Sequence, residues 1–208
     1  MIAMSPFIDS VNRLAAGSSP LEALHDELTL VVDALEYSSA KDRDEALRIL
    51  SETIAEADLP RASLVALGCG AIVEHGGEPN LAIDAILARL PKALARAKAY
   101  RDLCKAAEAK SAEQHGGEPP KFFFHGPQEK ANESNDLSLV WDSLDSLARG
   151  ANAMLARSVE ARKRAKAIRE IRDLAWELAD DHEQAGYLAE LLEVLDDEVL
   201  LVLRCRPA

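Results

Sequence analysis

Apolar residues recur along the chain at the three- and four-residue spacing of amphipathic helices, and the breaks between runs fall at proline, glycine and small polar residues. Ser5-Pro6 opens a first helix with Phe7, Val11 and Leu14 on one face, and Gly17 ends it. Ser19-Pro20-Leu21-Glu22 reads as a capping box for a second helix, with Leu21, Leu24, Leu28, Val31 or Val32, and Leu35 inward. A third helix is expected from about Lys41 to Ala57, burying Leu47, Leu50 and Ile54.

The most apolar stretch follows. Asp58-Leu59-Pro60 starts it, and nothing from Leu64 to Val73 is charged, so this helix is expected to have protein on nearly all sides. Gly68 and Gly70 lie inside it, and Gly76-Gly77 ends it as a left-handed cap requires. Pro79 starts the next helix, with Ile83, Ile86 or Leu87, and Leu90 inward. Pro91 predicts a kink or a new helix start. The pattern resumes with Leu94, Ala97, Leu103, Cys104 and Ala107 and stops at His115-Gly116-Gly117.

Residues 116–134 read as one long irregular loop, with Pro119, Pro120, Gly126 and Pro127 around Phe122-Phe123-Phe124-His125. Asn135 or Asp136 caps a further helix bearing Val140, Leu144, Leu147, Ala151, Met154 and Leu155. Ser158 starts another, through about Asp181, and a last one runs from about Glu183 to Asp196. Val199 to Leu203 is a continuous apolar run, read as a short extended segment.

Composition supports this reading. Of 208 residues, 48% are hydrophobic and 29% charged, which suits a chain with a real core, while aromatics are only 4%. Alanine, leucine, glutamate and arginine dominate, and these are helix formers. The expected fold is all-α: one globular domain over residues 1–208, with seven to nine antiparallel helices, either as a bundle or as stacked helical pairs.

Charge and chemistry narrow the function classes. A net charge of −12 repels phosphate backbones, so nucleic acid is not the expected partner. Cys69, Cys104 and Cys205 form no CxxC pair, and free thiols fit a cytoplasmic setting. The start, MIAMSPFIDS, lacks a basic region followed by an apolar run and is not read as a signal peptide. No apolar run reaches the ~20 residues of a membrane span, so no membrane association is expected.

Several motifs invite a chemical reading and fail its requirements. Gly68-Cys69-Gly70 lacks the third glycine and the preceding strand of a dinucleotide loop. Close helix approach explains small residues there more simply. His-Gly-Gly-Glu-Pro occurs at His75–Pro79 and again at His115–Pro119, and both copies read as helix terminators. The alternative is a ligand or metal site using His75 and His115 with His125 or Cys104, although no spacing matches a zinc signature. Asp180-Asp181-His182-Glu183 reads as a solvated helix junction, since HExxH fails. No catalytic residue and no cofactor is indicated.

The densest charge feature is basic: Arg157, Arg162, Lys163, Arg164, Lys166, Arg169 and Arg172 crowd one segment of an acidic chain. A solvated face with acidic neighbours accounts for it. As a functional surface it would dock an acidic protein partner. Phe122, Phe123 and Phe124 either cover the core or mark a second contact surface.

Leu64–Pro79 (LVALGCGAIVEHGGEP) and Leu188–Leu203 (LAELLEVLDDEVLLVL) resemble segments of an uncharacterised group of Ala/Leu/Arg-rich bacterial proteins. The resemblance implies a bacterial cytoplasmic origin and no activity. Two functional expectations result. The leading one is a non-enzymatic interaction or scaffold protein using Arg157, Arg162, Lys163, Arg164 and Arg169 with the Phe122 loop. The alternative is a helical small-molecule- or metal-binding protein, or an enzyme, with a site beside Gly68–Gly70. The two differ in whether a helix or a cavity lies against those glycines.

Overall fold

The computed structural model describes residues 5–16, 20–115 and 133–194, without the side chains at 22, 111–115 and 133–138. The described residues form α1 (Pro6–Ala15), α2 (Leu21–Ala34), α3 (Ala40–Glu56), α4 (Leu59–Glu74), α5 (Ile83–His115), α6 (Glu133–Arg157), α7 (Val159–Ala167), α8 (Arg169–Leu178) and α9 (Glu183–Glu193). Single 3-10 turns at Leu35–Tyr37 and Pro79–Leu81 complete the set, and there is no strand among the described residues. The chain is all-α. Ser19 and the Phe122–His125 run lie outside the described residues, as does Val199–Leu203.

The helix boundaries follow from local chemistry. Ser5 accepts a hydrogen bond from the Ile8 amide, with Pro6 at the first helical position. Ser39 and Asp42 form a reciprocal capping box at the start of α3. Asp58 caps α4 through the Arg61 amide at 3.0 Å. At the other end Gly76 has φ +96°, its amide bonds Val73 O, and the Gly77 amide bonds Ile72 O, which completes a Schellman stop.

Of the kink or new helix start expected at Pro91, the new start does not occur. Proline lacks one donor and crowds the previous turn, yet α5 continues through it from Ile83 to His115. Neighbouring Leu90, Ala93 and Leu94 are fully buried, and packing of that face holds the helix together. Conversely, the helix expected from Ser158 to Asp181 divides at Ile168, whose φ −98° and ψ 84° are not helical, giving α7 and α8. Leu103, expected inward, is 59% exposed.

α4 is the centre. Leu64, Val65, Ala66, Cys69, Ile72 and Val73 are all buried, and from Leu64 onward only the stripe of Leu67, Ala71 and Glu74 is less than buried. α6 packs along it most extensively, with α3 and α2 on its flanks. Full burial of each Leu, Ile or Val contributes roughly 1.5–3 kcal/mol, so α4 is the main anchor of the core. The main neighbours of α4 are the preceding helix α3 and the next-but-one helices α2 and α6, contacts that a bundle and stacked helical pairs have in common. Burial pushes the Cys69 thiol far above its ordinary range, which leaves it unreactive.

Candidate functional site

The side chains around Gly68 and Gly70 answer the question that the sequence leaves open. Gly68 faces α2 and α1: a Cβ there would lie 2.9 Å from a Leu28 methyl and 3.6 Å from a Leu14 methyl. Gly70 meets Gly150 of α6, whose Cα would lie 3.0 Å from a Cβ on Gly70. A Cβ on Gly150 would collide with the Ala66 carbonyl, at 2.6 Å from its carbon. The glycines therefore let α4 and α6 touch through their backbones. That is the packing role.

A cavity is present as well. Where the seam opens to the surface, small residues line its floor: Gly70 and Ala71 from α4, Ala153 and Ala156 from α6. Bulkier residues stand on either side, Leu28 and Val32 on α2 and Tyr187, Leu191 and Val194 on α9. The resulting groove encloses about 760 Å³. Small residues beneath and large ones beside are what hollow it out. Glu74, Arg149 and Glu190 also line it. Its polar contribution from within is Asn152, whose Nδ2 donates to Gln184 O at 3.1 Å and to Gln184 Oε1 at 3.3 Å. These bonds tie α9 to α6.

The start of α9 holds a second feature. Asp180 and Glu183 are exposed, as a solvated junction requires, but His182 between them is only 5% exposed. Its ring lies edge-on to Trp141 with centroids 4.7 Å apart, and Trp141 in turn meets Tyr100 at 6.1 Å. Nδ1 accepts the Ala185 amide at 3.4 Å, so the imidazole is the N-cap of α9. Burial holds the His182 pKa below its ordinary value, against the pull of the Asp145 carboxylate. Beside the ring is a recess of about 210 Å³ lined by Trp141, Asp142, Asp145, Asp181 and Glu183. Lys105 holds Asp181 at 2.7 Å, Arg149 holds Asp145 at 2.8 Å, and Glu183 accepts the Tyr187 hydroxyl at 3.1 Å.

The basic segment is divided. Arg162, expected on an exposed stripe, is 3% exposed and donates to Leu155 O at 2.7 Å. It satisfies a carbonyl at the end of α6 and is structural. Arg164 pairs with Asp84 at 3.0 Å, and Lys166 donates to Val194 O. Arg157, Lys163 and Arg169 are exposed.

The alternative ligand set of His75, His115, His125 and Cys104 is only partly described. His75 is the C-cap of α4, with Nδ1 on its own helix at Ala71 O, while His115 ends α5. The 33 residues of α5 separate the two positions, roughly 50 Å of helix at 1.5 Å per residue. Cys104 is half-buried on α5, and burial raises its pKa. His125 lies outside the described residues, as do Phe122, Phe123 and Phe124. No group of three or more His, Cys, Asp or Glu among the described residues is placed to hold a metal. Among the same residues no helix is long and apolar enough to cross a membrane.

Compared with known proteins, the chain matches no family model, no curated sequence and no solved structure. The resemblance at Leu64–Pro79 thus carries no family assignment.

Proposed function

We propose that the chain is a non-enzymatic interaction module whose working surface is the groove between α2, α4, α6 and α9. The single observation that carries this is the groove itself: about 760 Å³ of mostly apolar surface over the Gly70–Gly150 seam. Burying such a surface under a partner is favourable at roughly 25 cal/mol per Å² of apolar area. The occupant we favour is an amphipathic helix of a protein partner, with an apolar face toward Val32, Leu191 and Tyr187. Basic flanks on that helix would suit Glu74 and Glu190 and the net charge of −12. Arg157, Lys163 and Arg169 remain available for acidic groups of the same partner.

A second reading is a small apolar ligand, favoured by a volume within the ~300–1,000 Å³ of small-molecule pockets. One experiment separates the two. Random peptides displayed on phage are selected on the full chain and rebound to Val32→Asp and Ala156→Asp, which change groove positions that are not fully buried. Enriched peptides with apolar residues at helical spacing, losing at least tenfold in affinity on both variants, support the module. Absence of enrichment, or binding indifferent to both variants, overturns it.

A further inference from the structure

We infer that His182 is a pH-operated latch on α9: neutral, its ring caps the helix and holds one wall of the groove, and protonated, it leaves the cap for the acidic recess beside it. The structure contains both the cap and the recess. In the first, Nδ1 accepts the Ala185 amide and the ring rests against Trp141. A proton on Nδ1 makes that bond impossible, because two donors then face each other. The cap is lost and a charge is left in a buried site, which costs more than a lost hydrogen bond.

In the second position the imidazolium has somewhere to go. The adjoining recess, about 210 Å³, is lined by Asp142 and Asp145 of α6 and by Asp181 and Glu183 of the junction itself. The cations facing it are already engaged: Arg149 on Asp145, and Lys105 and Arg101 of α5 on Asp181. Carboxylates therefore dominate what the ring would meet, and an imidazolium near them is favoured. Burial, which holds the neutral form in the closed state, keeps the latch shut until the pH falls below the ordinary histidine range.

The connection to the groove is short. Gln184, two residues after His182, is the residue that Asn152 grips. Tyr187, which lines the groove, is held by Glu183 of the recess. Loosening the first turn of α9 releases both. This consequence rests on the groove being the binding surface, whereas the latch itself does not.

The test uses the full chain and two independent readouts as the pH is lowered from about 8 to about 4. NMR follows the His182 ring and the hydrogen exchange of the Ala185 and Gly186 amides, corrected for intrinsic rates. Nile red, an uncharged apolar dye, reports the groove. Exchange at these amides should accelerate by up to about tenfold per pH unit once the opened ring is protonated. His182→Asn keeps a cap acceptor without a titrating ring and should give a flat profile. Asp145→Asn, which removes one carboxylate of the recess, should move the opening to lower pH. A flat wild-type profile, or the same profile in His182→Asn, overturns the latch. Dye binding should change with the exchange, and an unchanged signal through the opening refutes the link to the groove. Failure of the groove reading looks different: Val32→Asp then leaves dye binding unaltered at every pH.

Discussion

Helix α6 turns two faces to its neighbours, and they are joined on opposite principles. Toward α4 the contact is backbone on backbone. Gly150 stands against the Ala66 carbonyl and Gly70 against Gly150, with nothing between them to adjust. Toward α9 an apolar layer that includes Leu188 and Leu192 is supplemented by polar groups: Asn152 on Gln184, and Trp141 against the capping ring of His182. The first seam is close-packed and tolerates no added atom. The second depends on hydrogen bonds and on a protonation state, so conditions can change it without changing the sequence. One helix thus has a fixed side and an adjustable side, and the groove lies where the two meet.

The largest effect is expected at the fixed side. Gly150→Ala adds a methyl group directly onto the Ala66 carbonyl. Alanine gains about 1 kcal/mol in helix propensity, but a backbone cannot rotate away as a side chain can. Net destabilisation of about 3 kcal/mol or more is expected, measured as a shift in the urea midpoint at constant slope. A variant as stable as the wild type would show that the seam gives way. Gly70→Ala sharpens the comparison. Its Cβ would lie 3.0 Å from Gly150 Cα and 3.3 Å from Ala153 Cβ, tight but less severe. A loss of about 1–2 kcal/mol is expected, and a larger loss than at Gly150 would reverse the order that these distances predict.

The adjustable side should respond to pH. In the folded chain the pKa of His182 is lowered by burial, so the native state binds fewer protons than the unfolded one. The associated stability is fully present above the unfolded-state value of about 6.5. It is lost as the pH falls below that value, by at most about 1.4 kcal/mol per pH unit, until the folded ring itself protonates. Urea midpoints compared between His182→Asn and the wild type across this window isolate the contribution. The wild type should lose stability relative to the variant as the pH falls. A difference that stays constant would remove His182 from the pH response.

Much of the fixed side was legible in the sequence, and little of the adjustable side was. An uncharged run from Leu64 to Val73 calls for protein on nearly all sides, and from Leu64 onward α4 is buried except along Leu67, Ala71 and Glu74, the face that opens into the groove. Gly76-Gly77 carries its stop in its own conformational freedom. Gly68 and Gly70 announced a close approach, but not their partner: that Gly150 would lie opposite depends on how two remote helices cross. His182 was misread for a related reason. Its neighbours Asp180, Asp181 and Glu183 are all charged, and burial of one ring among them is decided by Trp141 arriving from α6. Arg162 sits among exposed cations and differs from them only in facing inward toward Leu155. The groove has no local signature at all, since it is a gap left by four helices with side chains of unequal size.

The smallest effect is expected where the polar and packed contributions of the α6–α9 seam nearly cancel. Asn152 makes two hydrogen bonds to Gln184, while its Oδ1 is buried without a partner among the described residues. Asn152→Leu removes the two bonds, at a net cost of about 0.5–1.5 kcal/mol each. It also removes the unsatisfied oxygen, whose burial costs about 1–3 kcal/mol. The leucine then covers apolar surface at the groove. Stability should stay within about 1 kcal/mol of the wild type, because Leu188 and Leu192 keep α9 in place. What the variant should change is specificity of position: without the grip on Gln184, exchange at the first turn of α9 should quicken at neutral pH, where the His182 cap is intact. Protection equal to the wild type would mean that the cap alone sets the position of α9, and that the adjustable side of α6 has one control instead of two.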